Sequence, residues 1–248
     1  MSLIVQITDP HLRSDGADPC HDPAQAMQRA FAAISAMDIR PDAIVLSGDI
    51  IDRSARDYAH ALPLLRQAPV RLLPMPGNHD RMVEFRAAFG GWAPYVPDHL
   101  SFVEPVGEVL LIGLDSNLPG GGGGVDEARL DWLSAVLAEA RAPVLLALHH
   151  PPFPTHAPHL DASGFAGADA LASCLSGSRV CKIIAGHSHR GMQTLWAGLP
   201  ASTCTAIGHG LSLSLSGKTP HRPVGTGPGY ELHQLRSGAL VSHQVALG

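Results

Sequence analysis

Five short polar clusters in this sequence contain the residue types that bind divalent metals without thiolates. They are Asp9 and His11 in "TDPH", Asp49 and Asp52 in "GDIID", Asn78, His79 and Asp80 in "GNHD", His149 and His150 in "LHH", and His187 and His189 in "GHSH". Carboxylate, imidazole and amide-oxygen ligands suit divalent iron, manganese or zinc. Histidine is also frequent, with 15 among 248 residues, and a metal site is one reason for imidazoles to follow apolar runs.

Each polar cluster comes at the end of a predicted strand. The five strands are predicted at 3–8, 42–49, 70–77, 142–150 and 180–189. Ligands of open α/β folds bind outside the carboxyl ends of the strands, so we expect the five clusters to converge. Asp9 and His11 are two residues apart, as are His187 and His189, so each pair can present two ligands to one cavity.

The remaining pattern predicts strands that alternate with helices, which is typical of an α/β architecture with buried sheets. Helices are predicted at 22–37, 54–67, 81–88, 126–140 and 166–175, and further strands at 101–115, 192–197, 200–207, 230–236 and 239–246. Asp22 is the predicted N-cap of the first helix, with Pro23 in its first turn. The run of five glycines at 120–124 is predicted to be a flexible loop. Because no repeat or clear boundary is visible, the sequence indicates one domain over 1–248.

Composition narrows the function classes. The net charge of −5 argues against a partner such as a nucleic acid polymer, which usually requires a basic excess. The four cysteines form no CxxC pair, so neither a thiolate zinc site nor a small disulfide scaffold is indicated. The start of the sequence lacks a basic signal-peptide region, and no apolar run is long enough to span a membrane. We therefore expect a cytoplasmic protein with a small-molecule substrate.

We expect the five clusters to supply seven ligands. This number is too large for one tetrahedral zinc, but it suits two metals that share a carboxylate. Two metals about 3.5–4 Å apart can hold both the attacking and the leaving oxygen of a phosphoryl transfer. They also lower the pKa of a bound water toward about 7, which provides hydroxide at neutral pH. The chemistry expected from the residues is therefore phosphoester hydrolysis.

The five clusters, taken in order, resemble the five sequence blocks of the calcineurin-like metallophosphoesterase superfamily. Within it, the chain is most similar to bacterial class III cyclic-nucleotide phosphodiesterases and their glycerophosphodiesterase relatives. The stretches that carry this closer resemblance are "GNHDRMVEFRAAFG", "LIGLDSNLPGG", "DEARLDWLSAVL" and "LHHPPFP". The resemblance covers roughly residues 1–206 and implies a four-layer α/β/β/α sandwich, a dinuclear centre and a variable part over 207–248.

The resemblance also implies a role for each site residue. The first metal would be bound by Asp9, His11, Asp49 and His189, and the second by Asp49, Asn78, His149 and His187. Asp49 would therefore bridge the two metals. His79 would contact the substrate phosphate and protonate or orient the leaving oxygen, while Asp80 would orient its neighbours.

Three other residues have open assignments. His150 follows His149, and the family pattern makes the first of the two the ligand. Asp52 fits a role as a cap, or as a group that orients the ligands, better than direct ligation. His209 lies between two glycines after a β-like run, where it could line the substrate pocket beside Asn78 and His79. The remaining histidines outside the clusters, including His159 and His221, are expected to be surface or hydrogen-bonded groups.

The predicted function is hydrolysis of small phosphodiesters, most directly cyclic nucleotides, by a metal-bound hydroxide. The alternatives are a glycerophosphodiesterase or phosphomonoesterase that uses the same centre, and a catalytically silent scaffold. The metal ligands do not distinguish these substrates, because substrate choice depends on the loops at 13–22, 117–125 and 153–166. The final hairpin is a candidate contact in a homodimer.

Overall fold

Two mixed β-sheets lie face to face between two groups of helices. The structure is a computed structural model, and it describes residues 1–15, 20, 22–225 and 227–247. The helices are α1 (Pro23–Ser35), α2 (Leu62–Leu65), α3 (Met82–Phe89), α4 (Glu127–Glu139), α5 (Pro158–Asp161) and α6 (Ala168–Leu175).

The strands divide between the two main sheets and two short pairs. They are β1 (Ser2–Ile7), β2 (Ala43–Ser47), β3 (Leu72–Met75), β4 (Phe102–Val106), β5 (Val109–Gly113), β6 (Gly123–Gly124), β7 (Val144–Ala147), β8 (Phe165–Ala166), β9 (Val180–Ala185), β10 (Met192–Trp196), β11 (Leu199–Thr203), β12 (Gly210–Leu211), β13 (Pro223–Val224), β14 (Gly229–Arg236) and β15 (Ala239–Ala246). The first sheet has the order β15-β14-β1-β2-β3, and the second has the order β10-β11-β9-β7-β5-β4.

Alternation along the strands builds three apolar layers. In β2, Ile44 and Leu46 face α1 to α3, while Val45 between them faces the second sheet. In β7, Leu145 faces the first sheet, and Leu146 packs against α4 and α6. Successive side chains of a strand point to opposite faces, so each sheet is buried on both sides. The three layers produce the four-layer α/β/β/α sandwich, and the predicted fold class is confirmed.

The parallel strands bring the polar clusters to one edge of the sandwich. In the first sheet, β1, β2 and β3 run parallel, as do β5, β7, β9 and β11 in the second. The ends of β1, β2 and β3 lead to Asp9, Asp49 and Asn78. The ends of β7 and β9 lead to His149 and His187. The site therefore lies at the carboxyl ends of the strands, as expected.

Several predicted elements differ in detail. The helix predicted at 54–67 is wrong over most of its length, because only Leu62–Leu65 is helical. Backbone N–H groups of Ser54 and Ala59 donate instead to the carboxylates of Asp52 and Asp57. Such side-chain hydrogen bonds stabilise turns at the expense of a helix. The predicted cap is confirmed, since the Asp22 carboxylate accepts hydrogen bonds from the first turn of α1.

The glycine run and the final hairpin are more integrated than the sequence suggests. The flexible loop predicted at 120–124 includes β6, whose Gly123 and Gly124 are buried and pair with β8. The hairpin β14–β15 is confirmed, and β14 lies inside the first sheet beside β1. Of the hairpin, only β15 is therefore a sheet edge. In the substrate-loop candidate at 13–22, residues 16–19 and 21 lie outside the described residues.

In the part of the chain that the structure describes, no helix combines the length and the apolar character needed to cross a membrane.

Candidate dinuclear metal centre

The seven residues proposed as metal ligands come together at the carboxyl ends of five strands. The potential ligand atoms form several overlapping groups, and within each group they lie within 4.8 Å of one another. One group is Asp9, His11 and His189, and another is Asp9, Asp49 and His149. Asp9, His11, Asp49, His149 and His189 are buried. Asn78 and His187 are half-buried beside them. Burial of this many polar groups requires partners, which a metal would supply.

On one side of the cluster, three potential ligand atoms surround Nε2 of His11. This atom lies 3.0 Å from Nε2 of His189, 3.6 Å from Oδ2 of Asp49 and 3.9 Å from Oδ1 of Asp9. Nε2 of His189 is also 3.6 Å from Oδ1 of Asp9. These are the four side chains that the family resemblance assigns to the first metal.

The other side of the cluster is centred on the amide oxygen of Asn78. This Oδ1 atom lies 2.9 Å from Nδ1 of His187 and 3.1 Å from Nε2 of His149. Nε2 of His149 is in turn 3.4 Å from Oδ1 of Asp49. These atoms belong to the side chains that the family resemblance assigns to the second metal.

Asp49 connects the two sets of ligand atoms. Its Oδ2 faces His11 and its Oδ1 faces His149. Metal–nitrogen and metal–oxygen bonds of about 2.0–2.2 Å place neighbouring ligand atoms roughly 3.0–3.5 Å apart, close to the separations seen here. The donor set therefore fits two ions that share the Asp49 carboxylate.

The backbone at the site is held in an uncommon conformation. Positive φ angles occur at five of the seven residues, which are Asp9 (50°), His11 (46°), Asp49 (50°), His187 (66°) and His189 (54°). Residues other than glycine rarely adopt these angles, and the cost is of order 1–3 kcal/mol each. Gly48 also has a positive φ of 100°, and a Cβ there would lie 2.2 Å from Nδ1 of His149. These turns therefore direct the ligand side chains toward the site, and they do so with a strained backbone conformation.

Hydrogen bonds from outside the cluster fix its side chains. The Thr8 hydroxyl donates to Oδ2 of Asp9 at 2.7 Å. Nδ1 of His149 lies 2.9 Å from the Ser47 carbonyl, so its Nε2 faces Asn78. Nδ1 of His189 lies 2.6 Å from the carbonyl of His209. Contacts of this kind set the orientation and tautomer of metal-binding side chains.

Burial and neighbouring charges shift the pKa values of the ionisable groups in the cluster in different directions. Burial raises the pKa of Asp9. Burial also acts to raise the pKa of Asp49, but His149, His11 and His79 together hold it well below its usual range. Burial acts to lower the pKa of His149, and Asp49 reverses this and raises it to about 9.

Two other ligand candidates remain neutral near neutral pH. Burial lowers the pKa of His11 well below its ordinary value. Burial and the nearby His149 lower the pKa of His187 to about 3. Neutral imidazoles are the form that binds metal ions.

His79 and Asp80 have different roles beside the cluster. The backbone N–H of His79 donates to Oδ1 of Asp49 at 2.8 Å. The imidazole Nε2 of His79 lies 3.9 Å from Oδ2 of the same carboxylate. Asp80 points away and accepts hydrogen bonds from the Gly77 N–H, the Ile50 N–H and the Tyr58 hydroxyl. Asp80 therefore ties the loops after β2 and β3 together, in agreement with the orienting role predicted for it.

A cavity of about 400 Å³ opens above the cluster. His209 lines this cavity, with its ring 5.6 Å from that of His11 and 4.9 Å from that of His189. His159 and His221 also line it, and their rings stack with centroids 4.5 Å apart. The sequence led us to expect that the last two would be surface or hydrogen-bonded groups. Their shared position depends on the packing of α5 against the loop before β13 and has no local sequence signal.

The two ambiguous neighbours have hydrogen-bond partners outside the seven ligand candidates, although a ring nitrogen of His150 also lies within 4.8 Å of ligand atoms of His149 and His187. Asp52 accepts a hydrogen bond from the Ser54 N–H at 2.9 Å and lies 3.6 Å from the Arg13 guanidinium, so it stabilises a turn and caps no helix. Nδ1 of His150 lies 2.9 Å from the Ser116 hydroxyl. His149, by contrast, faces Asn78 and Asp49, so the geometry favours His149 as the ligand.

A comparison with models of protein families found a match for most of this chain. The family model described as calcineurin-like phosphoesterase matches residues 2–191, which include every ligand candidate. The chain belongs to this family. This calcineurin-like phosphoesterase is a metal-dependent hydrolase of phosphoesters, and its histidine and aspartate cluster is where divalent metals would bind.

Curated relatives align over most of the phosphoesterase. It is 31% identical to a protein of Rhodopseudomonas palustris named a probable cyclic nucleotide phosphodiesterase, over 98% of this chain and 91% of the relative. It is 29% identical to a probable glycerophosphodiester phosphodiesterase of Arcobacter nitrofigilis, over 99% of this chain and 93% of the relative. A cAMP/cGMP dual specificity phosphodiesterase of Mycobacterium tuberculosis is 30% identical over 82% of this chain and 67% of its own length.

A solved structure shares the fold of the phosphoesterase. The structure of a dimetal phosphatase from Danio rerio superposes with a TM-score of 0.74, covering 99% of this chain and 96% of that one. The two sequences are 18% identical, so this likeness supports the fold alone.

Proposed function

We propose that this phosphoesterase hydrolyses small phosphodiesters with two bound divalent metal ions, and that cyclic nucleotides are its main substrates. The observation that carries the proposal is the position of Asp49. Its two oxygens face two separate sets of ligand atoms, 3.6 Å from His11 and 3.4 Å from His149. A shared carboxylate between two metals suits in-line displacement at phosphorus.

The names of the relatives support the diester as the substrate class. Relatives named as cyclic nucleotide phosphodiesterases match this chain at 30–31% identity. The net charge of −5 disfavours a polymeric nucleic acid as the substrate. The proposed partner is therefore a small phosphodiester.

Each residue of the centre has a defined task in this proposal. Asp9, His11, Asp49 and His189 would hold one metal, and Asp49, Asn78, His149 and His187 would hold the other. When bound, the metals would offset the phosphate charge and make water a nucleophile near neutral pH.

His79 would act on the substrate and not on the metals. Its Nε2 is 3.9 Å from Asp49, and the residue lines the cavity above the cluster. From there it would hydrogen-bond the oxygen that leaves phosphorus. His209, which lines the same cavity, would contact the substrate beside Asn78.

Iron, manganese and zinc are the metals proposed for these ligands, because imidazole and carboxylate ligands suit all three. Elemental analysis of the protein purified without added metal would identify the ion. Two ions per chain are expected, and Asn78→Ala, which removes one ligand, is expected to retain fewer.

The substrate class can be tested with a matched panel on the manganese-loaded protein. The panel comprises bis(p-nitrophenyl) phosphate, p-nitrophenyl phosphate, 3′,5′-cAMP, 2′,3′-cAMP and glycerophosphocholine, with Asn78→Ala as the control. Preference for a cyclic diester, lost in the control, would support the proposal. Preference for the monoester would move the enzyme to the phosphatases, and no turnover with any metal would favour the silent scaffold.

Glycerophosphodiesters are the second candidate substrates. The relative from Arcobacter nitrofigilis, named for that activity, aligns over 93% of its own length. Faster hydrolysis of glycerophosphocholine than of either cyclic nucleotide would favour this candidate.

A further inference from the structure

A second cavity of about 360 Å³ lies directly beside the metal centre. His150 and His187 form part of its wall, and His187 is also one of the ligand candidates. Leu160 and Ser163 line both this cavity and the one above the metal cluster. A substrate with its phosphate at the metals can therefore extend into the second cavity across these shared residues.

Aromatic side chains from three separate elements line the second cavity. Phe153 is buried in the core, Phe165 lies in β8, and Trp196 ends β10. The pairing of β8 with β6 fixes Phe165 next to the glycine loop. Flat apolar walls of this kind suit an aromatic ring, because every nucleobase has a face that stacks on aromatic side chains.

The charged groups of the cavity are all carboxylates. Asp161 and Asp169 line it, and its described lining contains neither lysine nor arginine. The Asp161 carboxylate accepts two hydrogen bonds from Thr155, both at 2.8 Å. Asp169 lies in the first turn of α6 and is exposed, and within the described residues no group donates a hydrogen bond to its carboxylate. The cavity thus offers acceptors and repels a second phosphate.

We propose that the second cavity binds the base of a nucleoside phosphodiester, and that Asp169 selects bases whose edge presents N–H donors. Guanine fits best, because its N1–H and its exocyclic amine are adjacent donors that match the two oxygens of a carboxylate. Adenine presents one amine beside an acceptor nitrogen, which would face a carboxylate lone pair. The inference rests on the proposed function, since it assumes a nucleoside diester at the metals.

Binding can be measured without metal or phosphate. Saturation-transfer NMR on the metal-free full chain would compare guanosine, inosine, adenosine and choline. The expected order is guanosine, then inosine, then adenosine, because inosine lacks the exocyclic amine. Asp169→Asn is expected to weaken guanosine binding by about tenfold, as a hydrogen bond to a charged group is lost. The exposed Asp38 lies after α1, so Asp38→Asn is the matched control.

Catalysis provides a second measurement. The manganese-loaded protein should hydrolyse cGMP with a lower KM than cAMP, and Asp169→Asn should remove this difference. Hydrolysis of bis(p-nitrophenyl) phosphate, which carries no base, should change by less than about twofold, because none of the candidate metal-binding groups found among the described residues includes Asp169.

The two proposals fail in different ways. If bis(p-nitrophenyl) phosphate is hydrolysed while Asp169→Asn leaves the binding of all nucleosides unchanged, the cavity assignment is overturned and the phosphodiesterase stands. If no diester is hydrolysed but guanosine binding still depends on Asp169, the function fails and the cavity assignment stands. Binding of choline alone would overturn the base assignment, since an aromatic and acidic cavity also suits a quaternary ammonium group.

Discussion

Oδ1 of Asp49 lies 3.4 Å from Nε2 of His149, and the other oxygen of Asp49 faces the opposite half of the cluster. The contact explains why burial does not neutralise this carboxylate. His149 lowers the pKa of Asp49, while Asp49 raises the pKa of His149 to about 9. In the metal-free protein the pair therefore exists as an anion next to a cation, and a metal would take the place of the proton.

Asp49→Asn should remove the shared ligand with little change in shape. We expect the rate of diester hydrolysis to fall by about a hundredfold or more. Mutation of residues that only orient metal ligands already lowers metal affinity or activity by roughly 10–100-fold. Elemental analysis should show fewer than two metals per chain. The exposed Asp57, whose carboxylate accepts a hydrogen bond from the Ala59 N–H in a turn, provides the control Asp57→Asn. Retention of two metals and full activity in Asp49→Asn would contradict the bridging role.

Thr8→Val should weaken metal binding without removing a ligand. The Thr8 hydroxyl donates to Asp9 at 2.7 Å, and its loss leaves a buried carboxylate less well oriented. Metal affinity, measured by competition with a chelator, should fall by roughly 10–100-fold. Thr194→Val on the exposed strand β10 should leave the affinity unchanged. Equal affinities in the two variants would show that the Thr8 contact is incidental.

Gly77→Ala should destabilise the protein through the site itself. A Cβ at this position would lie 2.2 Å from Oδ1 of Asp49 and 2.3 Å from its backbone nitrogen. Relieving such a clash typically costs about 1–3 kcal/mol. The thermal midpoint should drop and metal should be lost. Gly91→Ala, where a Cβ meets nothing within 4 Å, is the matched control, and an equal response of both variants would refute the steric argument.

Glu231 should make the stability of the metal-free protein fall as pH rises. Burial raises its pKa above the ordinary 4.5, although Lys182 acts in the opposite direction. The folded state therefore binds a proton more tightly than the unfolded chain. The contribution of Glu231 is complete below pH 4.5 and is lost as pH rises through the folded pKa.

Glu231→Gln tests this dependence. Urea unfolding with a chelator present, from about pH 5 to about pH 8, should show a smaller loss of stability in the variant than in the wild type. Glu139 has a side chain that is 84% exposed, so Glu139→Gln should follow the wild type. A parallel decline in all three proteins would assign the pH dependence to other groups.

The sequence was informative where chemistry follows a strand directly. The position of each ligand at a strand end depends only on local apolar runs and the parallel topology of α/β folds. The cap of α1 was predictable for the same reason, because Asp22 acts within its own first turn. The convergence of Asp9 and Asn78 could be anticipated from this pattern.

Long-range relationships were less accessible. His159 of α5 and His221 of the loop before β13 stack on each other, and nothing near either residue signals the pairing. The predicted helix at 54–67 failed because Asp52 and Asp57 hydrogen-bond backbone groups two residues ahead. The periodicity of apolar residues does not reveal such competition.

The position of β14 beside β1 sets an order of events during synthesis. All seven candidate ligands lie at or before His189, yet β1, which leads to Asp9, gains one of its two neighbours only from residues 229–236. A growing chain thus carries every ligand while one edge of β1 is still unpaired, and such edges are prone to misassociation. The sheet that carries Asp9 therefore gains its full set of strands only after residues 229–236 have been synthesised, which is later than the last candidate ligand.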